Sequence, residues 1–148
     1  MSIALSKEKV QAYQGINFLF TFFIMFVVNI VVLMLANLVA PNHVVLGTYS
    51  ITPWWATYHS MFKLSVITTM FMPLVTYYEW KFKIVFSPKQ WLMTYFVVNL
   101  VVIWEITRFA ENLGFGVSSF LVVVILAGIF NLVQGFAMMY SGKYMLKV

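Results

Sequence analysis

The 148-residue chain has no cysteine, and only 9% of it is charged. Its four acidic residues are all glutamate, so aspartate is missing as well. Without cysteine there are no disulfides, no thiol redox chemistry and no cysteine-held metal. The two histidines, His43 and His59, fit no metal-ligand spacing, and a metal site needs at least three such ligands. No metal and no cofactor is expected. The chain also lacks a Gly-x-Ser-x-Gly nucleophile turn, a His-Glu-x-x-His pair and a glycine-rich phosphate loop. Glu105, Glu111 and His59 are the nearest thing to an acid–histidine set, and their spacing does not call for one. We do not expect an enzyme.

What is present is apolar. Hydrophobic residues make up 63% of the chain, aromatic residues 19%, and the mean hydropathy is +0.93. A soluble domain is usually about half apolar and about a quarter charged. There is too little polar surface here to cover a water-facing globule. The composition describes an integral membrane protein with the lipid bilayer as its first partner.

Nine basic residues against four acidic ones give a net charge of +5. Placement decides what that charge means. Lys7, Lys9, Lys81, Lys83, Lys89, Lys143 and Lys147 lie in three clusters beside apolar runs. That is the positive-inside pattern of a membrane protein, not a phosphate-binding stripe. Nucleic acid is excluded as a partner. Both termini and the loop 81–89 are expected on the cytoplasmic side of an inner or plasma membrane.

Four apolar stretches are long enough to cross a bilayer, which takes about 20 helical residues. The first is expected to begin at Ser6 and run through Gly15–Ala40 to Pro41. Its apolar run of about 25 residues exceeds a cleavable signal core, so it is expected to be retained. The second starts with Thr52 as N-cap and Pro53 in the first turn, and runs to about Trp80. The third starts at Ser87 and Pro88 and runs to about Asn112, with Gly114 as its left-handed cap. Gly114, Phe115 and Gly116 read as a tight turn. Ser118 or Ser119 opens the fourth, which runs to about Tyr140.

The stretch from Phe26 to Leu33 (FVVNIVVL) recurs from Phe96 to Ile103 (FVVNLVVI), 70 positions later. Asparagine is rare in the middle of a span, so the Asn29/Asn99 register suggests a duplication. The second and fourth helices match less well at an offset of 58, which implies an outer loop twelve residues longer in the first hairpin. The expected fold is therefore all-α: four transmembrane helices as two tandem parallel hairpin repeats, about 7–80 and about 88–142. They share one membrane domain, 1–148, and a pseudo-two-fold axis along the membrane normal.

Each helix carries a stripe of small or neutral polar residues at helical spacing. The stripes contain Asn29, Asn99, Ser65 with Thr69, and Asn131 with Gln134. They serve either helix packing through interhelical hydrogen bonds or a hydrated pocket or pore. Pro73 is expected to free the carbonyl near Thr69. Glu105, Arg108, Glu111 and Lys63 are the charges near the outer membrane surface and are candidates for an interface. Lys63 is also placed to meet Glu105 or Glu111. The expected role is a non-catalytic subunit or accessory protein that docks on a larger membrane complex or on copies of itself. The alternative is a small homo-oligomeric channel or carrier along the polar stripes.

Overall fold

The computed structural model describes residues 7–141, with side chains from residue 14. The elements are α1 Lys7–Val39, β1 Val44–Leu46, α2 Pro53–Phe82, α3 Pro88–Arg108, α4 Ala110–Leu113, β2 Phe115–Val117 and α5 Phe120–Ser141. The expected cap Ser6 and the tail lysines Lys143 and Lys147 lie outside the described residues.

Among the described residues three segments are long and apolar enough to cross a membrane: Gln14–Val39, Pro88–Arg108 and Phe120–Ser141, with mean hydropathy 2.8, 1.3 and 2.3. They make this a mostly helical membrane protein. The first holds 26 residues, about 39 Å at 1.5 Å per residue, more than a hydrocarbon core of ~30 Å. The α2 helix is as long as 30 residues, but its Thr, Ser and Lys content keeps it out of that set.

Local chemistry sets the helix starts. Thr52 Oγ1 accepts from the Trp55 N–H at 3.4 Å, with Pro53 following it. Ser87 and Gln90 form a reciprocal capping box: Ser87 Oγ accepts from Gln90 N at 3.3 Å and Gln90 Oε1 from Ser87 N at 2.7 Å. The ends are less regular than expected. Lys83, at φ 54°, closes α2 two residues beyond the lysine at 81. Below it the Glu79 carboxylate accepts from the Phe86 N–H at 2.6 Å and ties down the lysine loop. The third helix stops at Arg108, not Asn112, because the Phe109 N–H turns back to the Ile106 carbonyl. The single turn of α4 follows, closed by Gly114 at φ 73°. A Cβ on Gly114 would lie 2.6 Å from the Ala56 Cβ, so positive φ and close approach both demand glycine.

The fold is not purely helical. Where a tight turn was expected at 114–116, β2 pairs antiparallel with β1: Val44 with Val117, Val45 with Gly116 and Leu46 with Phe115. The ladder continues through Ser118 N to the His43 carbonyl at 3.0 Å and Gly47 N to the Gly114 carbonyl at 2.7 Å. Asn37 Nδ2 donates to the Val44 carbonyl at 2.7 Å and fastens the ladder to α1. The backbone groups of two short apolar connections satisfy one another here, as buried backbone must. Phe115 and Val44 point from the ladder into the core.

The two connections, residues 40–52 and 109–119, differ by two residues and not by the twelve that the offset of 58 implied. The four long helices form a ring in which α1 packs on α2 and α5, and α3 packs on α5 and, less extensively, on α2. The tightest core, with Leu33, Met61, Leu64, Ile103, Ile106 and Phe130, fills the half of the ring next to the ladder.

Candidate functional site

The polar stripes of all four long helices meet at one level, just below that core. Asn29 Nδ2 (α1) donates to Ser65 Oγ (α2) at 2.9 Å. Gln134 Nε2 (α5) donates to Asn29 Oδ1 at 2.8 Å and to Asn99 Oδ1 (α3) at 3.3 Å. Asn99 Nδ2 returns a bond to Gln134 Oε1 at 2.9 Å. None of the four side chains is more than 2% exposed. Each helix reaches this level by its own periodicity: Thr21, Met25, Asn29 and Leu33 mark the buried face of α1, and Asn99, Ile103 and Ile106 that of α3. The bonds span 36 residues in the first hairpin and 35 in the second. Ser65 is thus to Asn29 what Gln134 is to Asn99, a partner on the following long helix.

Asn131 lies one turn before Gln134 on α5, and its Nδ2 donates to the Leu92 carbonyl of α3 at 3.1 Å. Thr69 differs from its neighbours. Thr57, Thr68 and Thr76 of the same helix each donate to the carbonyl four residues back, at 2.8 to 3.0 Å. Thr69 Oγ1 is buried and has no partner. Four residues on, Pro73 has no N–H to offer the Thr69 carbonyl.

Below the polar layer the ring opens into a cavity of about 380 Å³. All four long helices line it, through residues such as Met25, Thr69, Trp91, Tyr95, Gln134 and Met138. Its mouth lies at the end that carries Pro88 and the lysine loop. Among the described residues no carboxylate, lysine, arginine or histidine lines it. Of the expected pocket residues, Thr69, Asn131 and Gln134 line the cavity, whereas Asn29, Asn99 and Ser65 are sealed in the layer that closes it.

The four charged candidates divide into two groups. Lys63 Nζ donates to Glu105 Oε1 at 2.8 Å, joining α2 to α3. Both side chains are more than a third exposed. Arg108 instead lies over the Trp104 ring, 5.0 Å from its centroid. Arg108 and Glu111 are exposed and make no ion pair among the described residues. Of the two partners within reach of Lys63 by sequence, Glu105 is the one it meets. His43 Nδ1 pairs with Ser118 Oγ at 2.9 Å, and His59 stacks on Trp55 at 5.4 Å. Among the described residues no three His, Cys, Asp or Glu come together as a metal site would require.

Sequence reasoning placed Asn29, Asn99, Ser65 and Gln134 on the polar stripes that meet here. It missed Asn37 and Glu79, whose partners are backbone groups that no spacing rule identifies. No protein family, no curated protein and no solved structure matches the chain.

Proposed function

We propose that the chain is a four-span membrane protein in which α2 crosses the bilayer beside the three apolar helices. Both ends and the lysine loop lie on the cytoplasmic side of an inner or plasma membrane. It serves as a non-catalytic subunit of a membrane assembly, formed with copies of itself or with a larger partner. The observation that carries this reading is the closed polar layer. Ser65, Asn29, Gln134 and Asn99 spend their hydrogen bonds on one another, so the neutral polar residues act as packing glue. The outward faces are left apolar, with Phe23, Val27, Val97 and Val101 among the exposed residues. Arg108 and Glu111, at membrane level with no ion partner among the described residues, are the polar contacts left for a neighbour.

Support for four spans comes from the ring itself, since α2 packs on α1 and α3 and its Ser65 accepts a bond in the central layer. Support for a duplicated hairpin comes from the ladder. Its centre pairs Val45 with Gly116, 71 positions apart and within one residue of the Asn29/Asn99 offset. The carrier reading is the weaker one, because a path through a single chain has to cross the sealed layer.

The test is the native mass after gentle extraction at natural abundance, for the parent and for Arg108→Glu. A stoichiometric assembly in the parent that Arg108→Glu dissociates, with helix content kept, is the expected result. A parent that runs as a 17.1 kDa monomer in its own lipids overturns the reading.

A further inference from the structure

We infer that the cavity below the polar layer is a binding site for an uncharged, lipid-soluble ring compound that bears one carbonyl or hydroxyl oxygen. This goes beyond a docking role. Size comes first: about 380 Å³ falls within the ~300–1,000 Å³ of small-molecule sites. The lining then selects the ligand. Among the described residues it holds no charged side chain, so an ion there would enter without a counter-charge and pay its full desolvation cost. The walls combine Trp91 and Tyr95 with Met25, Met72 and Met138. Aromatic rings prefer to stack on flat ring systems, and thioethers adapt to them and contact their edges.

Thr69 carries the polar contact. It is 2% exposed and lines the cavity, and its Oγ1 is unpartnered. Three other threonines of α2 close the local bond to the carbonyl four residues back, and Thr69 does not. An unpaired hydroxyl with no water around it is costly. A ligand oxygen set against it removes that cost. The Asn29–Gln134–Asn99 layer closes the cavity at the end away from Pro88.

The experiment uses the full chain in lipid nanodiscs, with empty discs measuring simple partition. The probes are 2-naphthol and 2-methylnaphthalene, which have similar shapes and differ by the oxygen. Binding is followed by saturation-transfer NMR. The expected result is saturable binding of 2-naphthol to the parent, weakened about tenfold by Thr69→Val, the scale of one lost hydrogen bond. Binding of 2-methylnaphthalene should not change in Thr69→Val. Gly135→Leu fills the cavity from a helix position with nothing within 4 Å of an added Cβ, and should remove both probes. No saturable signal above empty discs overturns the proposal. So does unchanged 2-naphthol affinity in Thr69→Val, equal loss of both probes in that variant, or full binding in Gly135→Leu.

Discussion

Gln134 Nε2 donates to Asn29 Oδ1 at 2.8 Å and joins the first long helix to the last across 105 residues of chain. The same side chain exchanges bonds with Asn99, so one glutamine holds three of the four helices at a common depth. Gln134→Leu leaves two buried asparagine amides short of partners. At roughly 0.6–2 kcal/mol for each of the three interhelical bonds in lipid, we expect a loss of about 2–6 kcal/mol. Unfolding in mixed micelles measures it. A change near zero would show that the layer contributes nothing to packing.

The ion pair between Lys63 and Glu105 crosses from α2 to α3, the least extensive contact in the ring. Both side chains are more than a third exposed, so screening limits the coupling to about 1 kcal/mol or less in an aqueous headgroup region. A double-mutant cycle with Lys63→Met and Glu105→Gln reads that coupling. The charge-reversed double variant, Lys63→Glu with Glu105→Lys, is expected to recover most of the stability that either reversal loses alone. Additive losses would mean that the two charges do not interact.

Gly114 sits at φ 73° with Ala56 pressed against the place a Cβ would take. Gly114→Ala therefore combines an unfavourable backbone with a clash, and should cost at least 1 kcal/mol where a compatible site would have gained stability. The contrast is Gly135→Ala, on a helix with open space around it, which should be neutral or stabilising by up to ~1 kcal/mol. Thermal midpoints of the two variants decide the matter, and equal midpoints would contradict the geometry.

Topology is best tested at Tyr49 and Val85, which are the most open sites in the two loops in question, at 109% and 90% exposure. With no native cysteine, single replacements report cleanly. Tyr49→Cys should react with an impermeant thiol reagent added to intact cells, and Val85→Cys only after lysis. Reaction of both from outside would mean that α2 does not cross.

Much of the helical framework was legible in the residues. Thr52 with Pro53, and Ser87 with Pro88 and Gln90, announce helix starts because the chemistry that caps a helix lies within three or four positions of its first turn. The inward stripe of Asn29 and Leu33 was legible for the same reason, since helical periodicity alone puts both on one face. The break at Phe109 was less legible, because no glycine or proline marks it.

Composition and local spacing, then, determined that this is a helical membrane protein, where its helices begin and which faces carry polar groups. Only the tertiary structure decided which groups meet. The offset of 58 between α2 and α5 rests on apolar matches, which two spans easily make by chance, whereas Ser65 and Gln134 are placed by the depth at which Asn29 and Asn99 need partners. The β ladder, the Lys63–Glu105 bond and the unpaired Thr69 hydroxyl depend on how closely helices approach across dozens of residues. Spacing along one helix does not contain that distance; side-chain volumes in the packed ring set it. They pack the Leu33–Phe130 core beside the ladder and leave a cavity below the polar layer.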